Sequence, residues 1–536
     1  MTDLIAQIDH ALDAGDVAAA AQFAERALQQ GSKNPIVYNL AAWQREEDGR
    51  FDEAEALIRD AQSREPNEPT LYVALGAVKR KQGQLKQAIE AIERALELDP
   101  GFAGAWQERG ATFETGGALN DAVSDYRQAV QLDPRDPAAH AALASVLARQ
   151  GFGADAAVHA HAALQLEPEN MLAHNALAHV ALEERRYDDA IRLLEPCTRD
   201  LNDSREVMIS TLTLLGDSYD GAGRFDDAYH AYVRAQALFE SIHSRRLEAG
   251  TRDNLDFLDR VAASLAAADP VTLTCPALVA PDTQPVACHV ILTGHPRSGT
   301  TLAENILASL PNAVAIEERP TLILADQEFL NQPDGLNRLG NIDEATLQGL
   351  RDDYWQRAER AAGQQLANKL FIDMDPFKGS RLPLIARLFP HSKVVIIRRD
   401  PRDVVWSCFH TNFAFNAATM AFTTLERAAQ HYAKTWTIIE AALHDLAIDA
   451  FNLRYETLVA DFDATTQSLC TFLNVPWSED VRRFDRTAQR RGVTTASATQ
   501  VRQGLYDGSG GWRQYEAYLA TVAPILDPWV ERFGYN

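Results

Sequence analysis

Small and apolar positions recur every 34 residues through the first 240 residues of the chain. Ala20, Ala54, Ala88, Ala122, Ala156 and Ala190 share one phase of this pattern. A second phase holds Ala42, Gly76, Gly110, Ala144 and Ala178, and a third Gly15, Gly49, Gly83, Gly117 and Gly151. A fourth holds Pro66, Pro100, Pro134 and Pro168. Each period reads as two amphipathic helices. The small residues let the two helices approach closely, Gly closes the first in a left-handed cap, and Pro turns the chain into the next period. Four further residues enter near 201–207, and the register resumes at Gly216, Gly223 and Ala228.

A 34-residue period with these small, turn and proline positions is the signature of tetratricopeptide repeats, six or seven of which stack into an all-α solenoid with a concave face. This assigns 1–240 to the solenoid. Its concave face is expected to recruit a protein or peptide acceptor; homodimer formation and simple support of the neighbouring domain are the other roles such an array fills. From about 239 to 268 the chain reads as one polar helix with an apolar stripe at Ile242, Leu247, Leu255, Phe257 and Val261. Residues 270–285, rich in Pro, Ala and Thr, read as extended linker. Together 241–286 form the connection.

From about Ala287 the pattern changes to short apolar runs alternating with helical periodicity. Strands are predicted at 290–292, 314–316, 370–372, 393–397 and 450–455. Helices are predicted at 300–310, 321–330, 343–362 and 382–388, beginning at Val404, and at 425–446. Such alternation builds an α/β domain over 287–536, with a parallel sheet covered on both faces and ligands bound beyond the C-terminal strand ends.

A formal charge of −24 over 536 residues argues against a nucleic-acid binder, whose affinity rests on neutralising phosphates. Hydrophobic content of 46% and charged content of 24% fit a globular protein. Cys197, Cys275, Cys288, Cys408 and Cys470 are widely spaced with no C-x-x-C, which points to a reduced, cytoplasmic protein without a zinc site. The N-terminus lacks a basic, apolar leader, and no apolar run approaches about 18 residues, so neither a signal peptide nor a membrane span is expected.

The chemistry concentrates after the first of these strands, at Thr293-Gly294-His295-Pro296-Arg297-Ser298-Gly299-Thr300-Thr301. A strand, a Gly-bounded loop and a helix N-terminus make an anion cradle, because the first helical N–H groups have no partner and the helix dipole is positive there. Ser298, Thr300 and Thr301 add hydroxyls and Arg297 a charged fork. Gly294 and Gly299 have Walker A spacing, but Thr300 stands where the lysine belongs, which disfavours a kinase or nucleotide hydrolase. A second motif ends a buried strand in Arg398-Arg399-Asp400-Pro401, with Ser407 two turns into the next helix, so that Arg399 and Ser407 can pinch one phosphate.

Pro296-Arg297-Ser298-Gly299-Thr300-Thr301 resembles the 5′-phosphosulfate loop of sulfotransferases, above all the tyrosylprotein sulfotransferases and their repeat-bearing bacterial relatives. The resemblance runs over 290–512. It implies transfer of a sulfuryl group from 3′-phosphoadenosine 5′-phosphosulfate (PAPS, leaving PAP) to a hydroxyl, with no metal required. It implies that Arg399 and Ser407 hold the 3′-phosphate, and that Tyr455 of Arg454-Tyr455-Glu456 contacts the nucleotide. Glu318, 21 residues past Arg297, falls where the family carries its general base, preferred over the adjacent Glu317 by register alone, and a phenol of pKa near 10 needs one. Ser497, Gln500 and Arg502 resemble the nucleotide lid, with Ser497 matching a transition-state serine. Met374 stands where relatives carry a lysine that stabilises the sulfuryl oxygens. Lys378, at the same strand's C-terminal end, is the candidate replacement, with Arg297 sharing the charge. Carbohydrate or lipid hydroxyls are alternative acceptors, and a catalytically weak PAP-binding scaffold is the alternative to an enzyme.

Overall fold

The computed structural model of the chain describes residues 2–199, 205–248, 253–274, 285–332, 334–491, 498–502 and 504–535. It divides into two compact units, Met1–Arg224 and Phe225–Asn536.

The first unit is built of paired helices, among them Pro69–Lys81 with Leu85–Leu98 and Ala103–Thr115 with Leu119–Leu132. The six alanines of the first phase are fully buried. At Gly76 and Gly110 a Cβ would come within 2.5 Å of Ile92 and 2.9 Å of Tyr126, so close helix approach requires the missing side chain. The third-phase glycines take φ of 73–82°, as expected of left-handed caps, and Arg185 holds the equivalent position in the next repeat at φ 58°. Each turn proline also has a ring donor waiting six residues on. Tyr72 donates to the Pro66 carbonyl at 2.9 Å and Trp106 to that of Pro100 at 3.0 Å. His140 and His174 occupy the same place beside Pro134 and Pro168, at 3.3 and 3.0 Å. The insertion near 201–207 falls partly outside the described residues.

The second unit begins with helix α1, Phe225–Glu248, followed by α2, Asn254–Ala267. One continuous helix over 239–268 is therefore not what forms. The Asp253 side chain accepts from the Leu255 N–H at 3.0 Å and caps a fresh helix there. Helix α1 packs within this unit: Gln236 Nε2 donates to the Phe409 carbonyl at 2.6 Å, and the Tyr229 ring stacks on Tyr518 at 3.7 Å. Of the expected extended linker, Pro270–Thr274 is a short helix anchored by buried Leu273, and 275–284 lie outside the described residues.

Strand β1 is Cys288–Thr293, followed by α3 (Thr300–Ala308) and β2 (Ala313–Glu317). Helix α4 (Glu344–Ala362) leads to β3 (Leu370–Met374) and β4 (Lys393–Arg398). Helices α5 (Pro401–His410) and α6 (Leu425–Asp445) precede β5 (Ala450–Arg454). All pairings are parallel, in the order β2-β3-β1-β4-β5. Val290, Leu292, Ile372, Val395 and Ile397 of the sheet pack with Leu302, Ile306 and Leu307 of α3. The long helix expected at 321–330 is instead a short turn, Ile323–Ala325, running into a π-turn, Asp326–Leu330. Just before it, the Thr321 hydroxyl is bonded to Asp373 at 2.9 Å. No helix among the described residues is long and apolar enough to cross a membrane.

Candidate functional site

Central strand β1 is flanked by β3 and β4, so connections leave on both sides and its C-terminal end opens into a crevice. The loop 294–299 lies there. Gly299 caps α3 at φ 105°, and a Cβ on it would sit 2.8 Å from the Tyr455 ring; a Cβ on Gly294 would sit 2.8 Å from the Ile397 carbonyl. Both glycines are required for close approach. Ser298 Oγ donates back to the His295 carbonyl at 2.7 Å, which closes the loop on itself.

Several sequence-predicted residues meet here. Arg297 Nε donates to Ser407 Oγ at 3.0 Å, joining the loop to α5. Arg399, just past β4, donates from Nη1 to the Arg297 carbonyl at 3.0 Å and from Nη2 to the Gly508 carbonyl. Its guanidinium lies 4.7 Å over the Tyr455 ring, and its buried Nε has no hydrogen-bond partner among the described residues. One cleft is lined by Arg297, Gly299, Leu302, Arg399, Tyr455, Gln500, Val501, Gly504 and Tyr506. Burial is the main cause that raises the Tyr455 pKa. Pro296, Ser298, Thr300 and Thr301 are buried in and behind the loop. Arg502 is not among the lining residues, and Ser497 lies outside the described residues.

Sequence reasoning missed the closing strap. Tyr455 OH donates to the Tyr506 carbonyl at 2.7 Å and accepts from the Gly508 N–H at 3.2 Å. Asp403 of α5 accepts from the Gly510 and Trp512 N–H groups at 2.7 and 3.0 Å, with burial as the main cause holding its pKa up. Nothing local in Tyr506-Asp507-Gly508 signals this.

Glu318 follows β2 at φ 50°, with its N–H bonded to the Met374 carbonyl at 2.7 Å. Its side chain reaches solvent, yet the surrounding protein desolvates the carboxyl. Asp375 and Glu317 push the same way and Lys378 opposes them, so its pKa is raised to about 7. Met374 is fully buried. Lys378 comes near Glu318, but its buried Nζ donates to Asp373 Oδ1 at 2.6 Å. Asp373 also accepts from Tyr354 at 2.7 Å. Beside Glu318, Arg319, Pro320, Thr321, Arg357, Arg360 and Ala361 line a cationic recess.

Residues 289–479 match the model of the Sulfotransferase family. Tetratricopeptide-repeat models match 11–79, 69–112 and 115–151. An uncharacterized protein of Aquifex aeolicus (strain VF5) is 29% identical over 266 residues, covering 46% of this chain and 34% of its own length. Protein-tyrosine sulfotransferase 1 of Danio rerio is 26% identical over 271 residues, covering 46% of this chain and 72% of its own length. Among solved structures, a tetratricopeptide protein of Thermus thermophilus is similar at TM-score 0.31 and 20% identity, over 34% of this chain and 99% of its own.

Proposed function

Given a chain in which tetratricopeptide repeats precede a sulfotransferase-family domain, we propose that it transfers a sulfuryl group from PAPS to a tyrosine hydroxyl of a protein or peptide recruited by the repeats. The observation that carries this reading is the convergence of four chain segments on one cleft, Arg297 and Arg399 both among its lining residues. These residues fit a nucleotide with two anionic ends. The N-terminus of α3 and Arg297 suit the 5′ end, and Arg399 with Ser407 the 3′-phosphate. The Nε of Arg399, without a partner among the described residues, is a donor left for such a group.

PAPS, when bound, supplies a sulfuryl group whose bond to the 5′-phosphate oxygen breaks as the acceptor oxygen bonds to sulfur. Glu318 takes the proton from that acceptor oxygen, a role suited to a carboxyl whose pKa lies near 7. Arg297 and Lys378 supply positive charge beside the transfer, and Gln500 lines the nucleotide cleft. The recess of Arg319, Arg357 and Arg360 suits acidic residues flanking the acceptor.

A second reading, a PAP-binding scaffold without turnover, is favoured by the engagement of Lys378 with Asp373 and the buried Met374 in the lysine position. Calorimetry with PAP followed by transfer from radiolabelled PAPS into a tyrosine peptide separates the two. Binding with labelled peptide is expected. Absence of PAP binding overturns both readings, and binding with no labelled peptide, glycan or lipid leaves the scaffold.

A further inference from the structure

The loop residue before Pro296 is a histidine, and it does not face the cleft. His295 is fully buried, with Nε2 2.9 Å from Nδ1 of buried His431 on α6. Its own Nδ1 lies 3.1 Å from the Pro296 carbonyl. His431 Nε2 in turn lies 3.0 Å from the side-chain amide of Asn254, the first residue of α2, whose oxygen faces the ring. Three hydrogen-bond gaps thus run in line from the connecting helix to the phosphate loop.

The proton count across those gaps is restrictive. The Pro296 carbonyl can only accept, so His295 Nδ1 carries hydrogen. A neutral His295 then has a lone pair on Nε2, and His431 Nδ1 must donate to it. A neutral His431 therefore presents a lone pair to Asn254. With the amide oxygen toward the ring, the line needs one extra proton, a buried charge. With the amide turned by half a revolution, its NH₂ donates and every gap is filled by neutral rings. Burial lowers the pKa of His295 to about 4 and that of His431 well below the usual range, which agrees with neutral rings. The groups packed around the pair are Cys408, whose Sγ lies 3.4 Å from the Pro296 carbonyl, and Tyr432, with Phe377 and Phe422. The ionised neighbours are already paired, Asp253 with Arg427 and Asp259 with Lys434.

We propose that Asn254, His431 and His295 are positioning residues, a one-directional neutral hydrogen-bond relay that sets the orientation of the phosphate loop. The Pro296–Arg297 peptide is planar and trans, so drawing its carbonyl inward turns the Arg297 N–H the opposite way, to the cleft side. Arg399 fixes the next carbonyl, so two consecutive peptide planes are held. The value of the relay to the protein rests on the reading of this loop as an anion cradle; its protonation does not.

The test is Asn254→Asp in the full chain. An ionised carboxylate can only accept, so the side chain at 254 and His431 then share one extra proton that the wild type does not need. Histidine ¹⁵N spectra without ligand should show neither His295 nor His431 of the wild type titrating between about pH 5.5 and 8.5, whereas Asn254→Asp gains one titration in that window. Once that proton is lost, a negative charge stands behind the loop. The ratio of PAP dissociation constants, variant over wild type, should therefore rise at least about threefold from about pH 6 to about pH 8. Asn254→Ala, which adds no charge, should gain no titration, as in the wild type, and keep the ratio flat with pH. A His431 that titrates normally in the wild type overturns the relay. So does an Asn254→Asp ratio to wild type that stays flat with pH. Failure of the wild type to bind PAP at all strikes the functional reading instead, and leaves the ligand-free titration to decide on the relay.

Discussion

Glu318 occupies the left-handed backbone region at φ 50°, a conformation that side chains other than glycine rarely adopt and that tends to collect at functional sites. Desolvation, with Asp375 and Glu317 beside it, holds its pKa up to about 7, above the ordinary carboxyl range. Turnover should rise with pH through about 7 as the base form appears. Glu318→Gln should lower turnover by about 10²-fold while PAP affinity stays unchanged by calorimetry. A folded-state pKa raised above the unfolded one means stability is highest below the unfolded value and falls as pH rises through the folded value. Removing the charge should therefore make Glu318→Gln melt above wild type at about pH 8.5, with the gap closing toward about pH 5.5 in a melting series. Arg399→Ala and Ser407→Ala should each weaken PAP by at least about tenfold, and adenosine 5′-phosphosulfate, which lacks the 3′-phosphate, much less. Arg297 and Arg399 were legible as residues at the ends of apolar strand runs, while Ser407 and Tyr455 were singled out through the resemblance to sulfotransferase motifs. His295 and His431 were not, because a contact between residues far apart in the chain leaves no local pattern.

At the scale of elements, the repeats were legible almost throughout, since each residue class answers one steric demand recurring at one interval. The exception is informative. Arg185 sits in the cap position that Gly15, Gly49, Gly83, Gly117, Gly151 and, after the insertion, Gly223 fill with glycine, at φ 58°. Arg185→Gly should raise stability by about 0.5–1 kcal/mol in chemical denaturation, because relief of left-handed strain exceeds the chain entropy lost. The sheet strands were legible from apolar runs. Of the elements misread, 239–268 is broken where Asp253 caps α2, and 321–330 is only a short turn beside Thr321, whose hydroxyl bonds Asp373.

For the whole molecule, the division at Arg224 and Phe225 decides where the chain can be cut. A truncation beginning at Phe225 keeps α1 and α2 and should retain PAP affinity. Its KM should rise for a macromolecular acceptor but not for a small phenol, since remote binding serves only the large substrate. A truncation beginning at Pro270 strips the partners of Phe409 and His431 and should aggregate in light scattering. The sheet's wiring has a further consequence during synthesis. Strand β1 pairs through Val290 with Ile372 and Lys393, and the loop's neighbour Tyr455 and the strap at Gly508 come later still. The repeats close only on neighbours and can fold as they leave the ribosome. The cleft lacks its last wall until Tyr506 has been made, so a nascent chain owns a finished repeat array well before it owns that cleft.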